Sequence, residues 1–365
     1  MLLGFKTELR LNNHQRTQLA KHCGVARHAW NWGLALTKNI LAHNKANPED
    51  KIKFPTAVDL HKWLVAMVKP ECPWYYQVSK CAPQYALRHL SEAWKQAFKK
   101  TKQPPRFKKK GRSDSFTVDG ALKVEAYRIK VPVIGWLKTY EWLPTQFQPS
   151  SFTISRTADR WFVSWRYEWD EAEENLPNLK LGVIGIDLGV KALATLSTGE
   201  VMTGAKSYRK YEKKLSRLQW LHRHRQRGSN NWKKAQIQIA RLHRKIASTR
   251  KDTLHKLTSH LAKNHSRIGI EDLNVSGMLA NHKLAKAIAD MGFYEFRRQL
   301  EYKCELYGSE LVVVDRWLAS SKTCSNCGTK KETLSLSERV FHCDHCGLEI
   351  DRDLNASINL EKAVS

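Results

Sequence analysis

Four cysteines near the C-terminus form two C-x-x-C pairs, Cys324 with Cys327 and Cys343 with Cys346, with fifteen residues between them. That spacing lies in the range of a four-cysteine zinc ribbon. Gly328 and Gly347 follow the second cysteine of each pair and can supply the turn of a tight knuckle. Four thiolates about 2.3 Å from one ion make a closed tetrahedral site, which gives zinc a structural role. Two disulfides or unrelated thiols are the alternative, set against a chain with no other secreted feature. Chemistry on a substrate must then come from other side chains, and acids are the first candidates. Asp351-Arg352-Asp353-Leu354-Asn355 follows the second pair directly, and Asp187 and Glu271 end two short apolar runs. Each acid alone says little, because a GIDLG strand also opens the actin and sugar-kinase fold and a strand-terminal Glu is commonly solvated. Together they say more. Three carboxylates converging within about 4 Å would repel by roughly 4 kcal/mol per pair at an effective dielectric near 20. They stay ionised only by sharing a divalent cation, and hard oxygen ligands with bound phosphate suit Mg²⁺ or Mn²⁺. Two such ions about 3.5–4 Å apart would activate a water and stabilise a leaving 3′-oxygen in phosphodiester hydrolysis.

The rest of the chain must position these groups. Its 365 residues allow two or three domains, and 42% hydrophobic content with 13 tryptophans argues for a packed core. A net charge of +27 calls for a polyanionic partner. Nucleic acid is favoured over a membrane surface, because no stretch approaches the roughly 20 apolar residues of a membrane helix. The start, MLLGFKTELR, lacks the apolar run of a signal peptide. Cys23, Cys72, Cys81 and Cys304 read as reduced thiols, so a reducing cytoplasm is expected.

Residues 2–9 alternate as a strand. From residue 13 to about 45, Leu19, His22, Cys23, Ala26, Trp30, Gly33 and Leu34 recur at helical spacing. Further helices are expected over 56–68 and 83–100, the latter with Tyr85, Leu87, Leu90, Ala93, Trp94 and Phe98 inward. The segment 99–112, KKTKQPPRFKKKGR, is basic, extended by two prolines and free of acids. Its Arg106, Lys108, Lys109, Lys110 and Arg112 are candidate phosphate contacts, a solvated loop being the bland reading. Residues 115–167 read as antiparallel strands of a small barrel or sandwich. The acidic stretch 170–180 reads as a linker and domain boundary.

Beyond it, residues 181–190 form a continuous apolar strand carrying Asp187, and two more strands follow. Residues 205–263 read as two basic helices in a hairpin with a break at 228–230. Between Lys206 and Lys251, sixteen lysines and arginines face one acid, Glu212. Ordinary exposed helices mix signs, so Lys213, Lys214, Arg217, Arg223, Arg225 and Arg227 are further candidate contacts. A strand over 267–271 ending in Glu271, one helix over about 285–306, a strand over 310–315, the ribbon and a last helix over 353–364 complete the chain. The order strand-Asp, strand, strand, helix, strand-Glu, helix, strand, Asp at a helix start is that of an RNase H-like nuclease core.

At the level of motifs the chain resembles the TnpB/OrfB family, RNA-guided endonucleases of bacterial insertion sequences related to the type V CRISPR effectors. The matches are Arg27-His-Ala-Trp-Asn31, Pro105-Arg-Phe-Lys-Lys-Lys with Ser115-Phe116, Gly185-Ile-Asp-Leu-Gly189, Ile270-Glu-Asp-Leu-Asn274, Ser320-Ser-Lys-Thr-Cys-Ser-Asn-Cys-Gly328 and Asp351-Arg-Asp-Leu-Asn-Ala356. They cover nearly the whole chain. The resemblance implies an α+β multidomain protein, with a helical recognition lobe (13–100) inserted in a wedge-like β-barrel (1–12 and 101–170) that grips guide RNA and target DNA. After a linker (171–180) it implies a RuvC-like nuclease core (181–319), a zinc ribbon (320–350) and a last catalytic motif (351–365). The family pattern D-x-N-A assigns the third catalytic acid to Asp353, with Asp351 in reserve. Guide pairing would read the target, and the protein itself only a short adjacent motif. The implied cofactors are structural zinc, catalytic Mg²⁺ or Mn²⁺, and guide RNA. The implied setting is the bacterial cytoplasm, on the nucleoid when DNA is bound. A nuclease-inactive RNA-guided DNA-binding regulator and a strand-transferring transposase share many of these features. The chain ends soon after the last motif, without the longer basic tail of many relatives.

Overall fold

A computed structural model describes residues 2–168, 180–335 and 337–365. The expected linker lies almost wholly outside the described residues. The chain divides into two compact units, Met1–Glu173 and Glu174–Ser365.

In the first unit, strand β1 (Leu2–Arg10) leads into the long helix α1 (Asn13–Ala46). Asn12 caps that helix, and Gln15 closes a reciprocal capping box. All seven residues of its anticipated stripe are buried. Helix α2 (Ala57–Trp63) starts on a Thr56–Asp59 box and runs into a π-helical turn (Leu64–Val68), a widening that simple periodicity does not reveal. Helix α3 (Cys81–Phe98) buries Leu87, Leu90 and Trp94 against α1, but leaves Phe98 exposed.

The chain then returns to the strands. These are β2 (Ser115–Asp119), β3 (Lys123–Glu125), β4 (Arg128–Val131), β5 (Gly135–Thr139), β6 (Ser151–Thr157) and β7 (Arg160–Glu168). With β1 they make one antiparallel sheet in the order β2-β6-β7-β1-β5-β4-β3. The N-terminal strand therefore sits in the middle of a sheet whose other strands come more than a hundred residues later, and the helices interrupt it. Among the described residues the pairings do not close this sheet into a barrel. Its β2 end is instead covered by α3, where Cys81 Sγ and Tyr85 Oη each lie 2.9 Å from the Asp119 carboxylate.

The second unit holds β8 (Leu181–Asp187), β9 (Ala194–Leu196) and β10 (Val201–Met202). A helical hairpin follows, α4 (Ser207–Arg223) and α5 (Asn230–Asn264). Next come β11 (His265–Glu271), α6 (Val275–Ala280), α7 (Ala285–Met291), α8 (Phe293–Tyr307) and β12 (Glu310–Val314). The ribbon strands β13 (Val340–His342) and β14 (Glu349–Asp351) lead into α9 (Arg352–Val364). The expected single helix over 285–306 is two, because Gly292 at φ +78° ends α7 in a left-handed cap and restarts the chain as α8. The hairpin base is pinned by buried Asp290, which accepts from the backbone N–H of Tyr208 and Arg209 at the start of α4.

The five-stranded sheet runs β10-β9-β8-β11-β12, antiparallel up to β8 and parallel from β8 onward. Ile184, Ile186, Ile268 and Ile270 point to one face, where Leu254, Leu261, Phe296 and Leu300 bury them. The opposite face is bare backbone at its centre. Gly185 of β8 and Gly269 of β11 are register partners, and α9 lies directly on them. A Cβ on Gly185 would stand 2.0 Å from Ser357 O and 2.3 Å from Glu361 N, and one on Gly269 3.0 Å from Leu360 O. At Gly185 both obstacles are backbone, which side-chain repacking cannot clear; at Gly269 the Val364 side chain, at 2.9 Å, is nearer still than Leu360 O. Gly185→Ala is expected to lower stability by about 3 kcal/mol, the upper end of overpacking costs. Thermal unfolding would check this: loss of the C-terminal unit's transition well before any change in the first unit is the expected outcome.

Candidate active site and metal centre

The glycine pair also places the carboxylates. Side chains two apart along a strand share a face, so Asp187 and Glu271 project on the face that Gly185 and Gly269 leave open to α9. They end adjacent parallel strands, next to each other at the C-terminal edge. Helix α9 brings the third acid. Asp351 is its N-cap, accepting from the backbone N–H of Asp353 at 2.9 Å and Leu354 at 3.1 Å. Its carboxylate is thus occupied with the helix end, whereas Asp353 in the first turn exerts a larger effect on Asp187. Burial pushes Asp187 up to about 7, and the charges of Asp353 and then Glu271 add to it, with Arg352 pulling the other way. Burial, followed by Asp272, raises Glu271 as well.

Asp353 and Glu271 both act on Asp187, but the three acids are less tightly gathered than the expected separation of about 4 Å. Among the described residues, only the four cysteines form a set whose ligand atoms all lie within 4.8 Å of one another. Asp353 is drawn towards the Arg352 guanidinium at 3.3 Å. The donors are hard oxygens that disfavour joint ionisation, which fits a divalent hard cation as their missing partner.

The zinc reading fits more tightly. The Cys324–Cys346 and Cys327–Cys343 sulfur pairs are each 3.6 Å apart. Four ligands about 2.3 Å from one ion lie about 3.8 Å apart, whereas a disulfide would need about 2.05 Å; all eight cysteines are free. The two knuckles repeat one another. Gly328 N donates to Cys324 O at 3.0 Å and Gly347 N to Cys343 O at 2.9 Å, both glycines having positive φ. Thr329 holds the Cys327 thiol down to about 5, and the Leu348 backbone also lowers Cys346. Phe341 is fully buried beside Cys324 and Cys343.

The sequence did not reveal how the ribbon grips the site. Asn355, fully buried, accepts from Ser325 N at 2.8 Å and donates to Thr323 O at 2.7 Å. One turn later Asn359 donates to Ser320 O at 2.8 Å and Thr323 O at 2.7 Å, and Lys362 donates to Ser325 O. Two asparagines four apart, aimed at the carbonyls of the Ser320–Ser325 segment, tie the first knuckle to the helix that presents Asp353. Their i,i+4 spacing is visible in the sequence; their acceptors are not.

The basic candidates separate by burial. Arg106, Lys109, Lys110 and Arg112 are exposed. Their loop is moored to α1 by Trp30 Nε1 donating to Arg106 O and by Asn31 bonding Lys108 through both its amide atoms, at 2.8 and 3.0 Å. Lys108 turns inward with its ammonium 4.0 Å from the Trp30 ring centroid, so it serves the fold more than a ligand. On the hairpin Lys213, Lys214, Arg217, Arg223 and Arg227 are exposed. Arg225 is half-buried and donates to Asn231 O at 2.7 Å, closing the hairpin loop. Glu212, the one acid there, pairs with Lys286 at 2.9 Å.

Comparison with known proteins identifies relatives of this chain. A family described as "Probable transposase" matches residues 164–282, a "Cas12f1-like, TNB domain" residues 293–360, and a "Helix-turn-helix domain" residues 1–46. In this chain the last of these is a strand and one unbroken helix. A Streptomyces pristinaespiralis protein named "Putative RNA-guided DNA endonuclease" is 40% identical over 78% of this chain and 71% of its own length. The Escherichia coli protein named "Putative RNA-guided DNA endonuclease InsQ" is 33% identical over 98% of this chain and 91% of its own. The chain belongs to the TnpB/OrfB family. Superposed on a solved Cas12f1–sgRNA–target DNA complex it gives a TM-score of 0.37 at 15% identity, with 99% of each chain covered, a value too low to bear on the fold. No described helix is long and apolar enough to cross a membrane.

Two expectations follow. A folded-state carboxyl near 7 against about 3.9 unfolded means that the folded state holds more protons between those values, so stability falls as pH rises through that window. In magnesium-free buffer Asp187→Asn should flatten that slope and raise the unfolding midpoint at pH 8 but not at pH 4; a pH series of thermal melts reads it. Elemental analysis should find one equivalent of zinc in the native protein and none in Cys324→Ser, and Asn355→Ala should keep the zinc while loosening α9.

Proposed function

We propose that this chain is an RNA-guided DNA endonuclease of a transposable element, cutting at a RuvC-like site. The observation that supports it most is the meeting of Asp187, Glu271 and Asp353 where two parallel strands and a helix start come together, with Asp187 raised by burial first and by Asp353 and Glu271 after it. Asp187, Glu271 and Asp353 would hold Mg²⁺ or Mn²⁺, and the four cysteines would hold zinc. The divalent ions, when bound, supply the Lewis acidity that activates water and stabilises the leaving 3′-oxygen. The chain fixes the geometry: the strand ends hold two carboxylates side by side, the capped helix holds the third, and the asparagine struts anchor that helix to the ribbon. Asp187 must release its proton to act as a ligand. Guide RNA and target DNA would lie against the exposed cations of the 106–112 loop and the α4–α5 hairpin. The proposed recognition lobe (13–100) and wedge domain (1–12 and 101–170) would carry the first of these contacts.

Asp187→Ala, Glu271→Ala and Asp353→Ala should each remove cleavage of a guide-matched duplex in Mg²⁺, by about 10³-fold or more, with guide binding retained. A native protein that binds but does not cut would be a regulator, and end joining that survives RNase would mark a transposase. If Asp351→Ala alone removes cutting, the third acid is misassigned.

Binding should be salt-dependent: with six to ten phosphate contacts, affinity falls by about 10³–10⁵ between 50 and 200 mM salt. Replacing Arg106, Lys109, Lys110 and Arg112 by Ala should flatten the log–log slope with little effect on which sequence is cut, while Lys108→Ala should act mainly on stability. An unaltered slope in the quadruple variant removes this loop from the interface.

A further inference from the structure

Directly after Glu271 the chain places Asp272, and this carboxylate serves neither the triad nor a helix cap. It receives two guanidiniums from separate elements: Arg297 of α8 donates from Nη1 to Oδ1 at 2.7 Å, and Arg316, just after β12, donates from Nη2 to Oδ2. Arg297 also pairs through Nε with Glu301 at 3.1 Å. Arg316 has no other ion pair among the described residues, and its side chain is 47% exposed. Both arginines line a cleft of about 440 Å³ together with Glu271, Asn274 and Tyr294. Trp317, next to Arg316, is 84% exposed, and Tyr294 is 70% exposed. So one wall of the cleft is a proposed metal ligand, and beside it stand two fixed cations with aromatic faces nearby.

A guanidinium has five N–H donors in a rigid fork and grips phosphate through two of them. Asp272 takes one donor from each guanidinium and Glu301 a second from Arg297, so most of the donors are left for a ligand while the carboxylate holds the two heads near each other before it arrives. We propose that Arg297 and Arg316, held by Asp272, form the phosphate-binding side of the cleavage cleft. They would seat a backbone phosphate of the DNA strand beside the one being cut. Arg316 is the main contact and Asp272 the positioning residue. This rests on the nuclease reading of the neighbouring carboxylates, and it goes beyond the metal ligands to say how the strand is registered against them. A purely structural network, locking the end of β11 to α8, is the competing account.

Charge removal from the substrate separates the two. The full-length, guide-loaded protein is given target strands carrying one neutral methylphosphonate, moved position by position around the cut. The native protein should slow by at least about tenfold at one position near the cut. Arg316→Ala should be slow on every strand and lose its extra sensitivity at that position. Arg316→Lys, which keeps the charge without the fork, should recover part of the rate and the sensitivity. Asp272→Asn should slow cutting and weaken the position dependence without abolishing it. Zinc content and thermal midpoint verify that each variant is folded. An Arg316→Ala enzyme with the native position dependence, or with the native rate, overturns the proposal.

A second arm needs no cleavage. In an Asp187→Ala background, binding of a short oligothymidylate unrelated to the guide is titrated against salt. Adding Arg316→Ala should reduce the slope by about 0.7, the contribution of one phosphate on a single strand. If Asp187→Ala still cuts, the triad reading fails, and the proposed clamp is judged by this slope alone. An unchanged slope overturns it.

Discussion

The second unit depends on two strands from which side chains are missing at one matched position. Gly185 and Gly269 stand opposite each other in register, and α9 rests on the bare backbone there. Sheets normally keep a helix about 10 Å away through intervening side chains; here backbone meets backbone. The consequence for chemistry is direct. Two residues beyond each glycine, on the same face, stand Asp187 and Glu271, and the start of the close-lying helix supplies Asp353. Close packing and convergence of charge are therefore one event: a helix held further out would present its first turn too far away to act on Asp187.

Such convergence is costly in itself. Burial and two neighbouring acids make Asp187 reluctant to ionise, with the Arg352 guanidinium pulling the other way. The geometry is maintained from outside. Asp351 satisfies the helix end that presents Asp353, and Asn355 and Asn359 bind carbonyls of the segment that carries the first cysteine pair. A zinc ion on the four cysteines would couple folding energy on the order of 10 kcal/mol to α9 through the hydrogen bonds of Asn355, Asn359 and Lys362. The ribbon is a brace for a site that repels itself.

The surface charge is ordered rather than merely abundant. In the 106–112 loop, four cations face water and one, Lys108, is spent on the Trp30 ring. On the hairpin a small apolar seam of Leu215, Leu242 and Ile246 aligns the helices, so the remaining cations lie outward. A surface moored in this way has little left to order when a ligand arrives, which lowers the cost of binding.

Much of this was legible in the residues alone. The cysteine spacing defined the ribbon, the alternation and apolar runs located nearly every strand, and three acids at element ends marked the candidate site. These are local properties, fixed by turn geometry, periodicity and ligand chemistry. What remained undecided required atoms distant in sequence. Whether 285–306 was one helix turned on Gly292 adopting positive φ; whether the antiparallel strands closed turned on α3 covering β2. The motif pattern favoured Asp353 over Asp351, and the helix start adds the physical difference: one accepts from the backbone and the other acts on Asp187. Packing likewise sets Lys108 apart from its neighbours and brings the arginines together on Asp272. Sequence determines which groups are present and how each segment prefers to fold, while long-range packing decides which of those groups face one another, and a site exists only through the latter.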